Sequence, residues 1–228
     1  MRTHPTLLLA LDTSTRSVGL ALYDGAQVLN ETVWTSQDYH TVELAPAVSL
    51  ALQRLGVTAS ALGALGVATG PGSFTGLRVG LALAKGLALA RGLPLVGIPT
   101  LDFLAAGQPL MEMPLAATLR AGRGRLAVGW YRPAAGAWQS TQKVEVLTLE
   151  ELIQKVQEPT LVCGELSKED REYLVSGQPN IRLSTPAGSL RHPSYLAELA
   201  WKRWKAGQLD NPATLAPIYL HYNDPIPV

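Results

Sequence analysis

Cysteine is almost absent from this sequence of 228 residues, which holds one, Cys163. A single cysteine excludes an internal disulfide, and its place in the apolar run 160–164 favours a small buried side chain in a reducing compartment. An excess of charge of either sign is also lacking, because 19 lysine and arginine residues face 18 aspartate and glutamate residues. This balance excludes a chain that holds a polyanion mainly through its own net charge.

Long apolar runs are missing as well. The most apolar stretch, 77–90, is interrupted by Arg78 and Lys85, and it is shorter than the roughly 20 apolar residues that a membrane span needs. The first residues lead straight into a short apolar run that ends at Asp12, without the pattern of a secretory leader. We therefore expect a cytoplasmic chain without a membrane partner, in which 77–90 is a helix buried against protein.

The first half of the sequence begins with short aliphatic or alternating segments that are separated by turn residues, which is typical of an antiparallel meander. Helical and buried-strand patterns then alternate. Pro46 inside the first helical pattern predicts a kink or a later helix start, and Gly56 stands where a glycine ends a helix. The predicted elements are strands 7–11, 17–23 and 26–33, helix 41–55, strand 64–69, helix 75–91 and strand 94–98.

The second half repeats this order less clearly. A capping box, Thr148 with Glu151, marks the start of its first helix, because threonine and glutamate satisfy each other's exposed backbone donors. The predicted elements are strands 115–120, 125–132 and 138–146, a helix from Thr148, strand 161–164, helix 167–174, strand 181–184 and helix 193–206.

Two copies of β-β-β-α-β-α-β indicate an α/β fold of the actin-like or ribonuclease-H-like class. We predict two domains, 1–104 and 105–228, and allow for helix 193–206 packing back on the first. A single mixed α/β domain is the alternative.

An acidic residue and hydroxyls, Asp12, Thr13 and Ser14, follow the first predicted strand. In actin-like kinases such a hairpin faces nucleotide phosphate, so these residues are a candidate vestigial nucleotide-binding turn. The alternative is that they close a tight turn through side-chain to backbone hydrogen bonds.

A glycine-rich run, residues 69–78, follows a buried strand and is more specific. Its glycines permit unusual backbone angles, proline stiffens the turn, and serine or threonine can cap the next helix. The spacing fits neither the phosphate loop nor the dinucleotide fingerprint. The run contains the loop motif Gly70, Pro71, Gly72, Ser73 and Gly76, together with Phe74 and Arg78.

The helix predicted at 75–91 interleaves leucine and valine with glycine and alanine, and it has few polar positions on any side. A helix that is apolar all round must be buried all round. Either it is an internal core helix, or one of its faces awaits a second chain.

At these residues the sequence resembles the TsaB (YeaZ) family. The likeness rests on the run 11–14, on a segment around His40, and above all on 70–78; it is strong over about 7–102 and thin afterwards. Near the C-terminus, the run 217–220 resembles the family's closing Pro-x-Tyr-Leu, and Trp201 and Trp204 fall in a helix that the family also has.

The resemblance implies an accessory subunit for the formation of threonylcarbamoyladenosine in tRNA. Such a subunit pairs with the catalytic subunit TsaD, helps recruit the ATPase TsaE, and meets tRNA indirectly through the complex. The pairing uses helices 41–55 and 75–91 in a four-helix bundle, and the same surface is expected to form a homodimer when the chain is alone. The implied interface residues are His40, Leu44, Val48, Phe74, Thr75, Leu77, Arg78, Leu81, Leu83 and Lys85.

Two departures argue against catalysis by this chain. TsaD binds metal through two histidines spaced His-x-x-x-His, whereas His40 is followed at that spacing by Leu44, so one imidazole ligand is missing. At the first hairpin of the second half, where the family often has Asp-Ala-Arg, residues 118–125 read Thr-Leu-Arg-Ala-Gly-Arg-Gly-Arg and contain no carboxylate. We therefore predict no catalytic residue, no metal and no cofactor. Arg120, Arg123 and Arg125 form either an anion or RNA contact or a solvated basic turn.

Two other functions remain open from the sequence. One is an active actin-like ATPase or phosphotransferase built around Asp12 and Thr13. The other is a peptidase-like hydrolase, although Cys163 sits in an apolar strand and the four histidines are scattered.

Overall fold

The computed structural model describes residues 6–37 and 40–220. The outer ends of the two predicted domains, 1–5 and 221–228, lie outside the described residues. None of the helices in the described ranges combines the length and the apolarity needed to cross a bilayer.

The first sheet has five strands in the order β3-β2-β1-β4-β5. The first three strands form a meander and pair antiparallel. Strand β4 pairs parallel with both β1 and β5, because a helix that connects two strands lets the second strand run in the same direction as the first. All six residues of β1 are buried, as expected for a central strand that is covered on both faces. The strands are β1 (Leu7–Asp12), β2 (Ser17–Tyr23), β3 (Val28–Thr35), β4 (Leu62–Gly70) and β5 (Leu95–Pro99).

Three helices belong to the first half of the chain: α1 (His40–Arg54), α2 (Phe74–Arg91) and α3 (Thr100–Ala106). Of the two alternatives at Pro46, the later helix start is excluded, because α1 begins at His40 and Pro46 lies within it. The kink stays a prediction. Gly56 has φ 66°, the left-handed conformation expected of a glycine that follows a helix. The α3 helix was not predicted, since its seven residues are too few to display a helical period.

The second sheet has six strands. Five follow the order β11-β10-β6-β7-β8, and β9 also pairs with β7. The elements are β6 (Leu115–Gly122), β7 (Arg125–Ala134), β8 (Ala137–Ser140), β9 (Glu145–Leu147), α4 (Leu149–Lys155), β10 (Thr160–Gly164), α5 (Lys168–Gly177), β11 (Ile181–Leu183) and α6 (Pro193–Lys205).

The two sheets have the same strand order, which confirms the duplicated, actin-like α/β fold. In each half the first three strands along the chain form an antiparallel meander. Two further strands then add in parallel on the side of the first strand of that meander, β4 and β5 beyond β1, and β10 and β11 beyond β6. The capping box is also confirmed, because the Glu151 amide donates to Thr148 Oγ1 at 3.2 Å and the Thr148 amide donates to Glu151 Oε2 at 2.7 Å. The prediction of one strand over 138–146 is wrong, since residues 141–144 separate β8 from β9.

The last helix of each half packs on the sheet of the other half. Leu101, Leu104 and Ala105 of α3 lie in a core with β6 and β7, and Leu196, Ala197 and Ala200 of α6 lie in a core with β1 and β4. The predicted domain boundary after residue 104 falls inside α3 and stays a prediction. The helix pair α1 and α2 covers the opposite face of the first sheet from α6. The helix pair α1 and α2 is one candidate functional site, and the cleft between the two sheets is the other.

Candidate functional site

Asp12 is almost fully buried at the end of β1, and it is paired with Arg191. The Arg191 Nε donates to Asp12 Oδ2 at 2.8 Å, and the side chains are 1% and 2% exposed. Burial alone would lower the pKa of Arg191, but the charges of Asp12 and Glu165 outweigh burial and raise it, so the guanidinium stays charged.

The guanidinium of Arg191 also joins the two sheets. Its Nη2 donates to Thr15 Oγ1 and to the Ser17 carbonyl, each at 2.8 Å, and its Nη1 donates to Glu165. Thr15 in turn donates to Glu165 Oε1 at 2.6 Å. Glu165 follows β10 in the second sheet, whereas Asp12 and Ser17 lie in strands of the first sheet and Thr15 lies in the turn between those strands. A protein cation thus lies where the hairpin was predicted to meet phosphate.

Thr13 and Ser14 are buried and have protein partners as well. Thr13 Oγ1 donates to the Gly76 carbonyl at 2.7 Å, and Ser14 Oγ lies 2.8 Å from Thr100 Oγ1. The Ser14 amide donates to Asp12 Oδ1 at 2.8 Å. The bond from the Ser14 amide to Asp12 is the local side-chain to backbone bond of the turn-closing alternative, whereas Thr13 and the Ser14 hydroxyl contact distant parts of the chain. The nucleotide-binding role of this turn stays a prediction.

The glycine motif packs directly against this turn. The Ser73 amide donates to the Ser14 carbonyl at 2.6 Å, and a Cβ at Gly72 would lie 2.3 Å from the same oxygen. A Cβ at Gly76 would lie 2.3 Å from the Thr13 carbonyl. These glycines are needed because two backbone segments approach more closely than any side chain permits. Ser73 caps α2, as the sequence predicted, by accepting from the Gly76 amide at 3.2 Å.

The same turn is repeated in the second half of the chain. Gly164 ends β10 with φ 131°, as Gly70 ends β4 with φ 107°. Ser167 caps α5 three residues after Gly164, as Ser73 caps α2 three residues after Gly70. The duplication therefore brings Glu165 to the position of Pro71, where it faces the first sheet.

Phe74, at the start of α2, is part of an exposed stack. Its ring is 56% exposed, lies 4.9 Å from the Tyr219 ring and has the Arg78 guanidinium 5.0 Å from its centroid. Tyr219 is held there because the Ile218 amide donates to the Thr69 carbonyl at 2.7 Å. The C-terminal run 217–220 thus completes the surface next to the glycine motif.

His40 is buried at the first residue of α1, with Nε2 lying 3.1 Å from the Thr15 carbonyl. Glu43 accepts from Trp34 Nε1 at 3.0 Å, and hydrogen bonds from Trp34 and Ser36 lower the pKa of its carboxyl. The described residues contain no group of three or more potential metal-binding side chains.

An open apolar groove separates α1 from α2, and we call it the α1–α2 groove. Its first part has a volume of about 490 Å³ between Ala45 and Ala82, and its second has about 650 Å³ between Val48 and Leu87. Leu83 lines both parts. Both helices contribute small side chains to the lining, Ala45 on α1 and Ala82 on α2.

The predicted interface residues divide between the groove and the core. Leu44, Val48, Leu77 and Leu81 are buried in the chain itself, as is His40. Phe74, Thr75 and Arg78 are exposed, and Leu83 and Lys85 are half-buried. Only the second group is available to another chain without rearrangement, although Leu44 and Val48 form the floor of the groove.

The basic turn between β6 and β7 is partly engaged. Arg120 forms an ion pair with Asp170, which also closes the capping box of α5. Arg123 is exposed and has φ 51°.

Comparison with known proteins identifies the family. Residues 27–181 match the family model "TsaD: tRNA N6-adenosine threonylcarbamoyltransferase". A protein of Bacillus subtilis named "tRNA threonylcarbamoyladenosine biosynthesis protein TsaB" is 31% identical over 160 residues, which are 69% of this chain and 70% of that protein. The chain belongs to the TsaB (YeaZ) family. The Escherichia coli protein of the same name is 33% identical over 100 residues, 44% of this chain and 43% of that protein.

A solved structure supports the TsaB assignment over nearly the whole chain. "YeaZ from Pseudomonas aeruginosa" superimposes with a TM-score of 0.76 and 27% identity, covering 94% of this chain and all of that one. The family model extends to residue 181, beyond the range of about 7–102 in which the sequence predicts a strong likeness.

Sequence reasoning missed two residues of the TsaB-family cleft, Arg191 and Glu165. A carboxylate on a buried strand demands a counter-charge, so Asp12 itself was a signal that a cation had to lie nearby. The partner is 179 residues away in the chain, and nothing local distinguishes Arg191 among the 19 basic residues.

Proposed function

We propose that this chain is the non-catalytic scaffold subunit in the formation of N6-threonylcarbamoyladenosine in tRNA. It pairs with a TsaD-type catalytic subunit through the α1–α2 groove, helps recruit a TsaE-type ATPase, and meets tRNA through the assembled complex. Alone, it pairs with itself through the same surface. The relatives named TsaB support a function in threonylcarbamoyladenosine biosynthesis. The α1–α2 groove supports the role of a subunit that binds another protein.

The open groove is the observation that carries this proposal. Two helices already cover one face of the first sheet, yet Phe74 in the groove is 56% exposed and Ala82 beside it is exposed as well. Apolar patches of this kind are unfavourable in water unless another protein covers them. Burying the patch and the half-buried Leu83 would remove apolar area from water at about 25 cal/mol per Å².

The Asp12–Arg191 pair supports a role without chemistry at the cleft. A carboxylate that is to organise a metal-bound phosphate must be free to accept a water or a cation. Asp12 instead accepts from Arg191 and from the Ser14 amide. The competing ATPase hypothesis predicts nucleotide turnover that Asp12→Ala abolishes; the scaffold proposal predicts no turnover by the chain alone.

Pull-down and size-exclusion chromatography with the TsaD-type subunit of the same organism test the pairing. Leu83→Glu places a charge in both parts of the groove, where it would lose its hydration on association, so co-elution should be lost. The matched control is Val175→Glu, which introduces the same charge on α5 at an exposed position. Circular dichroism should show that both variants fold. A wild-type chain that never co-elutes with the catalytic subunit contradicts the proposal.

A further inference from the structure

The charges on the two helices that form the α1–α2 groove are mostly positive. Helices α1 and α2 carry four cations, Arg54, Arg78, Lys85 and Arg91, and one carboxylate, Glu43. Arg54, Arg78 and Arg91 are exposed and Lys85 is half-buried. None of the four forms an ion pair with another residue in the described ranges, and Arg78 contacts the Phe74 ring instead.

Glu43 is the one carboxylate on the two helices; its hydrogen-bond donors are neutral and leave its negative charge in place, but the four cations outnumber it. It accepts from the Trp34 indole, and its lowered pKa reflects that bond and another from Ser36. Among the described residues that line the groove, Arg78 is the one that carries a charge. The surface is therefore an apolar strip with a cationic border.

Two of the cations lie on the same side of α2. Arg78 and Lys85 are seven residues apart, which is two helical turns, so their side chains project along one edge of the helix. Arg91 extends the positive charge to the end of α2, and Arg54 lies at the end of α1. A partner that covers the groove thus meets positive charge near both ends.

We infer that the groove selects a protein partner whose apolar helices are bordered by aspartate and glutamate. This inference rests on the proposed function, and it adds a basis for choosing between partners. Charges at the rim of an interface change the association rate and reject wrong partners more than they add affinity. In a two-fold pair of identical chains, cationic borders meet cationic borders, so the self-pairing proposed above is weaker than pairing with an acidic partner.

An RNA backbone would also favour the cationic border, but it does not fit the groove itself. RNA-binding surfaces combine cations with polar or aromatic contacts to bases and phosphates. Most of the side chains that line the groove are instead alanine, valine and leucine, and Phe74 is the one aromatic ring that the structure places among them. A protein with an apolar strip matches both features of the surface.

The test measures two associations at two salt concentrations. Raising NaCl from about 0.1 M to about 1 M shortens the Debye length from about 10 Å to about 3 Å. Binding of the full chain to the TsaD-type subunit, followed by surface plasmon resonance, should weaken with salt. Self-association, followed by sedimentation, should strengthen with salt.

Variants with a reversed charge provide a second test of the same inference. Lys85→Glu should weaken binding to the TsaD-type subunit roughly tenfold, mainly through slower association, and should strengthen self-association. Arg78→Glu with Lys85→Glu should enlarge both effects. Lys143→Glu, at an exposed position between β8 and β9, makes the same charge change away from the groove and should alter neither.

The outcomes separate this inference from the proposed function. Wild-type chain that does not bind the TsaD-type subunit at either salt concentration contradicts both. Binding that ignores salt and charge reversal leaves the scaffold proposal standing and overturns the acidic-partner inference. Lys85→Glu weakening both associations alike, or abolishing binding of bulk tRNA while protein binding stays unchanged, also overturns it.

Discussion

The Arg191 guanidinium lies 2.8 Å from the Asp12 carboxylate, Nε to Oδ2, inside the cleft between the two sheets. The pair connects the end of the first strand to the segment before the last helix, and Glu165 links it to the second sheet. A side chain of the same molecule thus provides the positive charge beside the residue that the sequence predicted to contact a nucleotide. The two halves are tied together by these ion pairs.

Removing the arginine should destabilise the fold strongly. Arg191→Met leaves the Asp12 carboxylate buried without its counter-charge, which typically costs about 3–5 kcal/mol in the free energy of unfolding. Urea denaturation measures the loss. Combining it with Asp12→Asn should cost less than the sum of the two single changes, because the double variant buries no net charge. An Arg191→Met protein with wild-type stability would show that Asp12 is satisfied in another way.

Two glycines of α2 should respond to alanine in opposite directions. A Cβ at Gly80 would lie 2.3 Å from Thr13 Oγ1, so Gly80→Ala must displace the candidate turn and should lower the melting temperature. Gly86 has nothing within 4 Å of its Cβ position, so Gly86→Ala should stabilise the helix by about 0.5–1 kcal/mol. Differential scanning calorimetry of the two variants compares them on the same helix. If the two substitutions changed the melting temperature equally, helix propensity alone would account for both changes and the contact with Thr13 would not matter.

The Cys163 thiol should be unreactive in the folded chain. It is fully buried in β10, and burial raises its pKa far above the ordinary value, so almost no thiolate forms at neutral pH. A thiol reagent such as DTNB should label it only after unfolding in guanidinium chloride. Rapid labelling of the native protein would reopen the hydrolase hypothesis, since the thiolate is the nucleophile that such chemistry needs.

Glu31 should contribute stability that depends on pH. Burial alone would raise the pKa of its carboxyl, but hydrogen bonds from Ser194 and His192 outweigh burial and lower it below the ordinary 4.5. A pKa lowered by folding adds stability above the unfolded value, and this stability is lost as the pH falls from about 4.5 through the folded pKa. Wild type should therefore be more stable than Glu31→Gln at pH 7, and the difference should disappear in acid. Thermal melts between pH 7 and pH 3 measure it, and a constant difference would contradict the assignment.

Much of the fold was predictable because it depends on local patterns. Alternating and apolar runs placed β1, β2 and β4 within two residues, and the apolar period placed α2 within one. Glycines and capping residues marked the turns, since only particular residues satisfy a helix end or a left-handed backbone. Local patterns also identified the glycine motif 70–76 and Asp12 as candidate site residues, because each directly follows a predicted strand.

The remaining features arise from contacts between distant parts of the chain. The sequence alone determined the repeated order of elements, the glycine motif and an α2 helix too apolar to be exposed on every side. Only the tertiary structure decided that Arg191 fills the cleft beside Asp12, that α3 and α6 exchange sheets, and that Leu83 borders an open groove while Leu81 lies in the core. The physical reason is that burial and charge pairing depend on where the chain returns in space, and no local pattern encodes a partner 179 residues away.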